Sequence, residues 1–137
     1  MNLHEYQGKE MLNSFGVEIQ RGIVAQTPAE AIAAAKRLTE DTGTGWHVIK
    51  AQIHAGGRGK GGGVKLAKNL DEVSQIAGEI IGMHLITPQT SAEGKLVSQV
   101  LVTEDVYYPG ASEPSEFYIS VLMNRATGRN MIMYFLN

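Results

Sequence analysis

The sequence predicts an α+β fold in which helices alternate with strands early in the chain and only strands follow. In the first part of the chain, capping signals are followed by apolar residues at helical spacing. The later part contains runs of β-branched residues that are bounded by turn residues. Residues 109–114 are rich in proline and glycine, which indicates a hinge between the two parts. A length of 137 residues allows one domain or two small lobes.

Composition excludes several classes of function. Twelve basic and 14 acidic side chains give a net charge of −2, so no overall field would attract nucleic acid or an anionic membrane. The chain has no cysteine, which fits a reducing compartment, and it shows neither a signal peptide nor an apolar run of the ~20 residues that span a bilayer. We therefore expect a cytoplasmic protein that recognises anions only locally.

The first element is predicted to be a short amphipathic helix. Asn2 and Glu5 have the spacing of a capping box, and Gly16 is placed to end the helix. Its apolar stripe consists of Leu3, Tyr6, Met11, Leu12 and Phe15. A strand is expected next, within Val17 to Ala25, because β-branched residues there lie between helix-breaking residues.

A second helix and a second strand follow. Thr27, Pro28 and Glu30 supply an N-cap hydroxyl, a proline at the first helical position and the reciprocal glutamate of a capping box. After the turn residues 41–45, the segment from Trp46 to Ile53 is rich in strand formers. Lys50 would therefore project from near the end of a strand.

The rest of the chain is predicted to contain one more helix and several strands. Asn69 and Glu72 form a capping signal for a helix that Gly82 could end. The expected strands are Val64–Ala67, Leu85–Thr87, Leu96–Thr103, Phe117–Asn124 and Asn130–Leu136, with a turn at 125–128 joining the last two. The chain ends within a strand pattern, which suggests that the sequence is a fragment.

A glycine-rich loop is the most informative local feature. Six of the eight residues from Gly56 to Gly63 are glycine, and the other two are Arg58 and Lys60. Glycine backbone can approach phosphate oxygens closely, and two cations add charge, so the loop fits a flap over a polyphosphate. Lys50 could hold a phosphate oxygen beside that flap. A mobile surface loop and a solvated lysine are the alternatives.

Two well-known phosphate loops do not account for this segment. A P-loop needs a glycine five residues before the Gly59-Lys60 pair and a hydroxyl after it, and the chain has His54 and Gly61 there. Residues 57–62 do match the dinucleotide pattern G-x-G-x-x-G, but a strand follows them instead of a helix. The order strand, glycine loop, strand predicts a hairpin flap that covers a nucleotide.

A family resemblance covers nearly the whole chain. The run from Val48 to Lys65 and the start from Met1 to Gln7 closely resemble the β subunits of succinate–CoA ligases. The resemblance implies an ATP-grasp fold, in which a nucleotide lies between two α+β lobes. It divides the chain into an N-terminal helix that packs on the second lobe (1–20), the first lobe with its flap (21–104) and the truncated start of the second lobe (105–137).

The same resemblance implies a nucleotide site. The positions that match the family's nucleotide contacts are Lys50, Gly57, Arg58, Gly59, Val102, Thr103, Glu104 and Glu116. Lys50 would bind phosphate and residues 57–59 would form the flap, whereas 102–104 would border the adenine through backbone groups and Glu116 would lie near the ribose. Either Thr103 or Glu104 could fill the acidic position that follows the strand.

The implied reaction needs parts that this chain does not supply. Family members join succinate to coenzyme A with ATP, forming ADP, and an α subunit carries the phosphohistidine and the coenzyme A site, so His54 is not expected to be that histidine. Mg²⁺ would be held by residues outside this chain, and the chain alone would be inactive. GTP is possible, because Gln20 lies where ATP and GTP users can differ. Another acyl-CoA or citrate-type ligase and a non-enzymatic nucleotide-binding module are the alternative functions.

Overall fold

A computed structural model describes residues 2–109, 111–113 and 115–136. The helices and strands are, in order, α1 (Glu5–Ser14), β1 (Gly22–Ala25), α2 (Pro28–Thr42), β2 (His47–Ala51), β3 (Val64–Ala67), α3 (Leu70–Ile80), β4 (His84–Leu85), β5 (Lys95–Leu96), β6 (Val100–Glu104), β7 (Phe117–Asn124) and β8 (Arg129–Leu136). This mixed content confirms the predicted α+β class. No helix within the described ranges is long and apolar enough to cross a membrane.

The main sheet has the strand order β1-β6-β2-β3, and every neighbouring pair is antiparallel. Helices α2 and α3 pack against it and against each other. Along β2, His47, Ile49 and Ala51 are buried and alternate with the partly exposed Val48 and Lys50. Because successive side chains in a strand point to opposite faces, this alternation turns Lys50 away from the core beneath the two helices.

The predicted caps of α2 and α3 are confirmed. The N–H of Glu30 donates to Thr27 Oγ1 over 3.2 Å, and the N–H of Glu72 donates to Asn69 Oδ1 over 2.9 Å. At the other end of α2, Gly43 adopts a φ of 77°, a left-handed conformation that favours glycine. Each of these two helices therefore begins at a side-chain cap that accepts from the N–H three residues later.

The prediction for the start of α1 is wrong. His4, not Asn2, is the N-cap residue, and its N–H donates to Gln7 Oε1 over 2.9 Å. Gln7 thus fills the helix position that the prediction gave to Glu5. The carboxylate of Glu5 is left free to make contacts outside the helix.

Two predicted strands are shorter or divided. The strand expected within 17–25 covers only Gly22–Ala25, and the one expected over 96–103 is split into β5 and β6. The division arises because Val97 N–H donates to Met83 O, whereas Gln52 N–H donates to Gln99 O. Consecutive residues of this segment therefore pair with different parts of the fold, which a strand pattern alone does not reveal.

The hairpin β7–β8 is confirmed with nearly the predicted bounds. Eight residue pairs join the strands, from Phe117 and Leu136 to Asn124 and Arg129. Asn124 Oδ1 accepts from the N–H groups of residues 126 and 127, and Gly128 adopts a φ of 66°. The proposed lobe boundaries stay predictions, and Gly110 and Pro114 of the expected hinge lie outside the described residues.

Candidate functional site

Lys50 lies near the end of β2 and points away from the main core. Its Nζ donates to Glu5 Oε1 over 3.1 Å and to Gln20 Oε1 over 2.7 Å. Only 16% of its side chain is exposed, and burial lowers its pKa even though the nearby Glu5 carboxylate acts in the opposite direction. Lys50 is thus a partly dehydrated cation held in a fixed position, unlike the solvated lysine of the alternative reading.

Arg58 joins Lys50 through a shared carboxylate. From the glycine loop, Arg58 Nη2 donates to Glu5 Oε2 over 2.7 Å, and Nη1 donates to the carbonyl oxygen of Ala51 over 2.7 Å. The second bond ties the loop to the end of β2. Two of the predicted phosphate contacts, Lys50 and Arg58, are therefore brought together by Glu5, which was expected only to cap a helix.

Three cations surround the Glu5 carboxylate. Besides Lys50 and Arg58, Lys9 Nζ lies 3.1 Å from Glu5 Oε1, and we call these four residues the cationic cluster. Burial alone would raise the pKa of Glu5, but the charges of Lys50 and Lys9 and the hydrogen bond from Arg58 lower this pKa to about 2. One carboxylate against three cations leaves an excess of two positive charges.

Gln20 connects the cationic cluster to Glu104. Gln20 Oε1 accepts from Lys9 and Lys50, and its Nε2 donates to the backbone carbonyl of Glu104 over 2.7 Å. The Glu104 carboxylate in turn accepts from the N–H of Arg21 over 2.7 Å. Gln20, which the sequence marked as a position for base choice, thus uses its amide to hold both lysines.

Val102 and Thr103 lie inside the sheet. Both side chains are fully buried, and each residue is paired in register with β1 on one side and β2 on the other. Regular antiparallel ladders occupy the backbone N–H and C=O groups that were expected to read a base edge. Of the three predicted border residues, only Glu104, at the strand end, is partly exposed. The assignment of Val102 and Thr103 as base contacts stays a prediction.

The glycine-rich loop, residues 56–63, packs against residues 85–88. A Cβ on Gly61 would meet the Ile86 carbonyl oxygen, and one on Gly63 would meet the Leu85 side chain. A Cβ on Gly57 would come within 2.9 Å of Pro88 Cδ, and the φ of Gly57 is 74°. Close packing and backbone conformation therefore favour glycine at these positions.

Hydrogen bonding differs between the two halves of the loop, residues 57–59 and residues 60–63. The N–H groups of Lys60, Gly61, Gly62 and Gly63 donate to carbonyl oxygens within the loop. Those of Gly57, Arg58 and Gly59 donate to no other residue in the described part of the chain. A Cβ on Gly59 would meet nothing within 4 Å. Three consecutive N–H groups thus remain available beside Arg58, at the positions predicted to contact nucleotide.

Two further residues singled out by the sequence are His54 and Glu116. The ring of His54 stacks on that of His4 with centroids 4.0 Å apart, and its carbonyl oxygen accepts from Lys95. Glu116 is exposed directly before β7, and its predicted place near the ribose stays a prediction. Among the residues that the structure describes, no group of three or more histidine, aspartate or glutamate side chains could hold a metal ion.

Glu5 and Lys9 are the site residues that sequence reasoning missed. Their spacing of four on a helix is a recognised ion-pair signal, and it could have shown that Glu5 has a charged partner. No local signal links Glu5 to Lys50 or Arg58, because 45 and 53 positions separate them along the chain.

Comparisons with known proteins identify the family of this chain. Residues 2–135 match the family described as the ATP-grasp domain. The chain is 81% identical over 134 residues to the β subunit of ADP-forming succinate–CoA ligase from Christiangramia forsetii, which covers 98% of this chain and 34% of that protein. The corresponding subunit of Flavobacterium johnsoniae is 75% identical with the same coverage. The chain thus spans about a third of the length of these curated relatives.

A solved structure supports the fold. Acetyl-coenzyme A synthetase 1 of Ca. Korarchaeum cryptofilum, in complex with coenzyme A and Ca-AMPCP, matches with a TM-score of 0.66 and 21% identity over 98% of this chain and 53% of that one. At this level of identity the match concerns the fold alone. The family match over residues 2–135 shows that the chain belongs to the ATP-grasp domain family, and its identity to the curated relatives shows high similarity to β subunits of ADP-forming succinate–CoA ligases.

Proposed function

We propose that this chain provides the phosphate-binding wall of the nucleotide site in a β subunit of ADP-forming succinate–CoA ligase. The observation that carries the proposal is the position of Lys50 and Arg58, in a cluster with two excess positive charges, beside three N–H groups that donate to no described residue. The similarity to curated β subunits supports the same function.

The chemistry of the site suits a polyphosphate. Lys50 offers a compact charge, Arg58 offers a planar set of donors, and the N–H groups at residues 57–59 can approach an anion without obstruction from a side chain at Gly57 or Gly59. These groups are held in position before any ligand binds. The sheet positions Lys50, and the packing of Gly61 and Gly63 against residues 85 and 86 positions the loop. Preorganised donors of this kind stabilise charge that develops during phosphoryl transfer.

The base and the ribose of the nucleotide would be contacted by residues of β6 and by Glu116. Glu104, at the end of β6, would border the base together with the backbone around Val102 and Thr103, and Glu116 would lie near the ribose. Mg²⁺ would be held by residues beyond this chain and would offset the charge of the phosphates when bound. An α subunit would supply the phosphohistidine and the coenzyme A site in a cytoplasmic complex, and this chain alone would be inactive.

The nucleotide base is proposed to be adenine, as in the curated ADP-forming relatives. In this structure Gln20 contacts two lysines and the Glu104 carbonyl, so its amide would have to change partners to contact a guanine. Steady-state kinetics of the complete complex with ATP and with GTP would test the choice. A higher kcat/KM with GTP would contradict the assignment.

The central experiment is Lys50→Ala in the complete β subunit, assembled with its α partner. Removing one charge-assisted phosphate contact of about 1.5–3 kcal/mol should lower kcat/KM for ATP by roughly 10- to 100-fold. Lys36→Ala is the matched control, because Lys36 is an exposed lysine on α2 and the change removes the same charge. Wild-type kinetics in the Lys50 variant would refute the proposed role.

Two further measurements separate the alternative functions. A panel of carboxylic acids, tested on the complete complex, would distinguish a succinate enzyme from another acyl-CoA or citrate-type ligase. Calorimetric titration with ADP and with coenzyme A would identify a simple nucleotide-binding module, which would bind ADP tightly while supporting no ligation.

A further inference from the structure

Helix α1 is held to the rest of the molecule mainly by polar contacts. None of its residues is buried, and its apolar Met11 and Leu12 are about half exposed. The Glu5 carboxylate bonds to Lys50 on β2 and to Arg58 in the glycine loop, and Lys9 bonds to Gln20. With so little apolar burial, the attachment of α1 depends on these charged groups.

The same cations are the proposed phosphate ligands. Lys50 Nζ lies 3.1 Å from one oxygen of Glu5, and Arg58 Nη2 lies 2.7 Å from the other. A carboxylate and a phosphate both present oxygen acceptors to such donors. The Glu5 carboxylate therefore accepts hydrogen bonds from the same Lys50 and Arg58 donors that a phosphate oxygen would use.

We propose that Glu5 is a built-in competitor for the phosphates, so that nucleotide binding displaces its carboxylate and loosens α1 from the sheet. This inference rests on the proposed phosphate role of Lys50 and Arg58. A polyphosphate carries several negative charges where Glu5 carries one, and the cationic cluster has positive charge in excess, so the exchange is electrostatically favourable. The displaced Glu5 would keep Lys9 as its partner within α1.

The competition has a measurable cost in affinity. Part of the binding free energy of the phosphates is used to break the bonds of Glu5, so weakening those bonds should tighten binding. Glu5→Gln removes the charge, keeps the shape of the side chain and replaces one of its two acceptor oxygens by an NH2 donor. Glu10→Gln is the matched control, because it removes the same charge from an exposed residue of α1, whereas the ion pairs of Lys50 and Arg58 are made with Glu5.

The affinity test uses calorimetric titration of the complete protein containing this chain with inorganic tripolyphosphate and with ATP. Glu5→Gln should lower the Kd for both by about tenfold, equivalent to about 1.4 kcal/mol, whereas Glu10→Gln should bind like the wild type. Circular dichroism of each variant checks that the fold is kept. Lys50→Ala should lose most of the affinity, which locates the probe at this site.

The structural test measures amide hydrogen exchange in α1 with and without tripolyphosphate. Wild-type protection over residues 8–14 should fall when the probe binds, and in Glu5→Gln it should be low from the start. Unchanged protection on binding, or equal or weaker binding by Glu5→Gln, would overturn the competition while leaving the phosphate site intact. Binding that is absent, or is unaffected by Lys50→Ala, would overturn the proposed function and the competition with it.

Discussion

The titration of Glu5 gives a direct test of the cationic cluster. Its pKa of about 2, against an ordinary value of 4.5, corresponds to about 3 kcal/mol in favour of the charged carboxylate in the folded state. This figure is an upper bound, because 19% of the side chain is exposed and because burying Lys50 charged costs part of it. We expect Glu5 to stabilise the attachment of α1 by about 1–3 kcal/mol at neutral pH.

The sign of the pH dependence follows from the lowered pKa. A carboxyl that is more acidic in the folded state than in the unfolded state stabilises the fold fully above pH 4.5, and it loses this contribution as the pH falls toward 2. Helix α1 should therefore detach over this acidic range. In Glu5→Gln the attachment should already be weak at neutral pH and should change little over the same range.

Nuclear magnetic resonance can follow both events in one sample. The side-chain carboxyl carbon of Glu5 reports its protonation, and the amide resonances of Gly8 and Lys9 report whether α1 stays attached. Comparison with Glu5→Gln assigns the carboxyl signal, and Glu10→Gln should retain the transition of the wild type. Titration of Glu5 near 4.5 would show that the cluster does not form in solution and would refute the reasoning.

Three further predictions concern the loop and the core. Gly61→Ala should lower the free energy of unfolding in urea by about 1–3 kcal/mol, because the added Cβ would meet the Ile86 carbonyl oxygen. Gly59→Ala, whose Cβ would meet nothing, should leave stability unchanged and weaken ATP binding. Equal effects of the two changes on stability would contradict the close-packing account. Ile49→Ala, in the fully buried centre of β2, should cost about 2–5 kcal/mol in the same assay, and a cost below 1 kcal/mol would contradict its place in the core. Burial lowers the pKa of His47, so stability should fall as the pH drops below 6.5, and His47→Gln should flatten that fall.

Much of the fold could be predicted because its signals are local. The caps at Thr27 and Asn69 act on N–H groups three residues away, so they can be read directly from the sequence. The hairpin β7–β8 was predicted almost to the residue, since its turn and its strands are contiguous. The start of α1 was mispredicted because two capping patterns overlap there, Asn2 with Glu5 and His4 with Gln7, and the helix uses the second.

The candidate site was predictable only in part. The glycine run and its flanking cations indicated a phosphate loop, and the resemblance singled out Lys50 and Arg58. The sequence did not show which glycines serve packing, because the atoms that approach Gly61 and Gly63 come from residues 85 and 86. It also did not show that Val102 and Thr103 lie in a central strand with partners on both sides, because strand order is a long-range property.

By itself, the sequence determined the types of local structure, the glycine loop with its charges and the family to which the chain belongs. Only the tertiary structure decided how those charges are paired, because Glu5 contacts Lys50 and Arg58, which lie 45 and 53 positions away along the chain. Capping and turn formation depend on neighbours along the chain, whereas ion pairing depends on which surfaces the sheet and helix bring together. The role of Glu5 could therefore be recognised only once the fold had placed its carboxylate between the two cations.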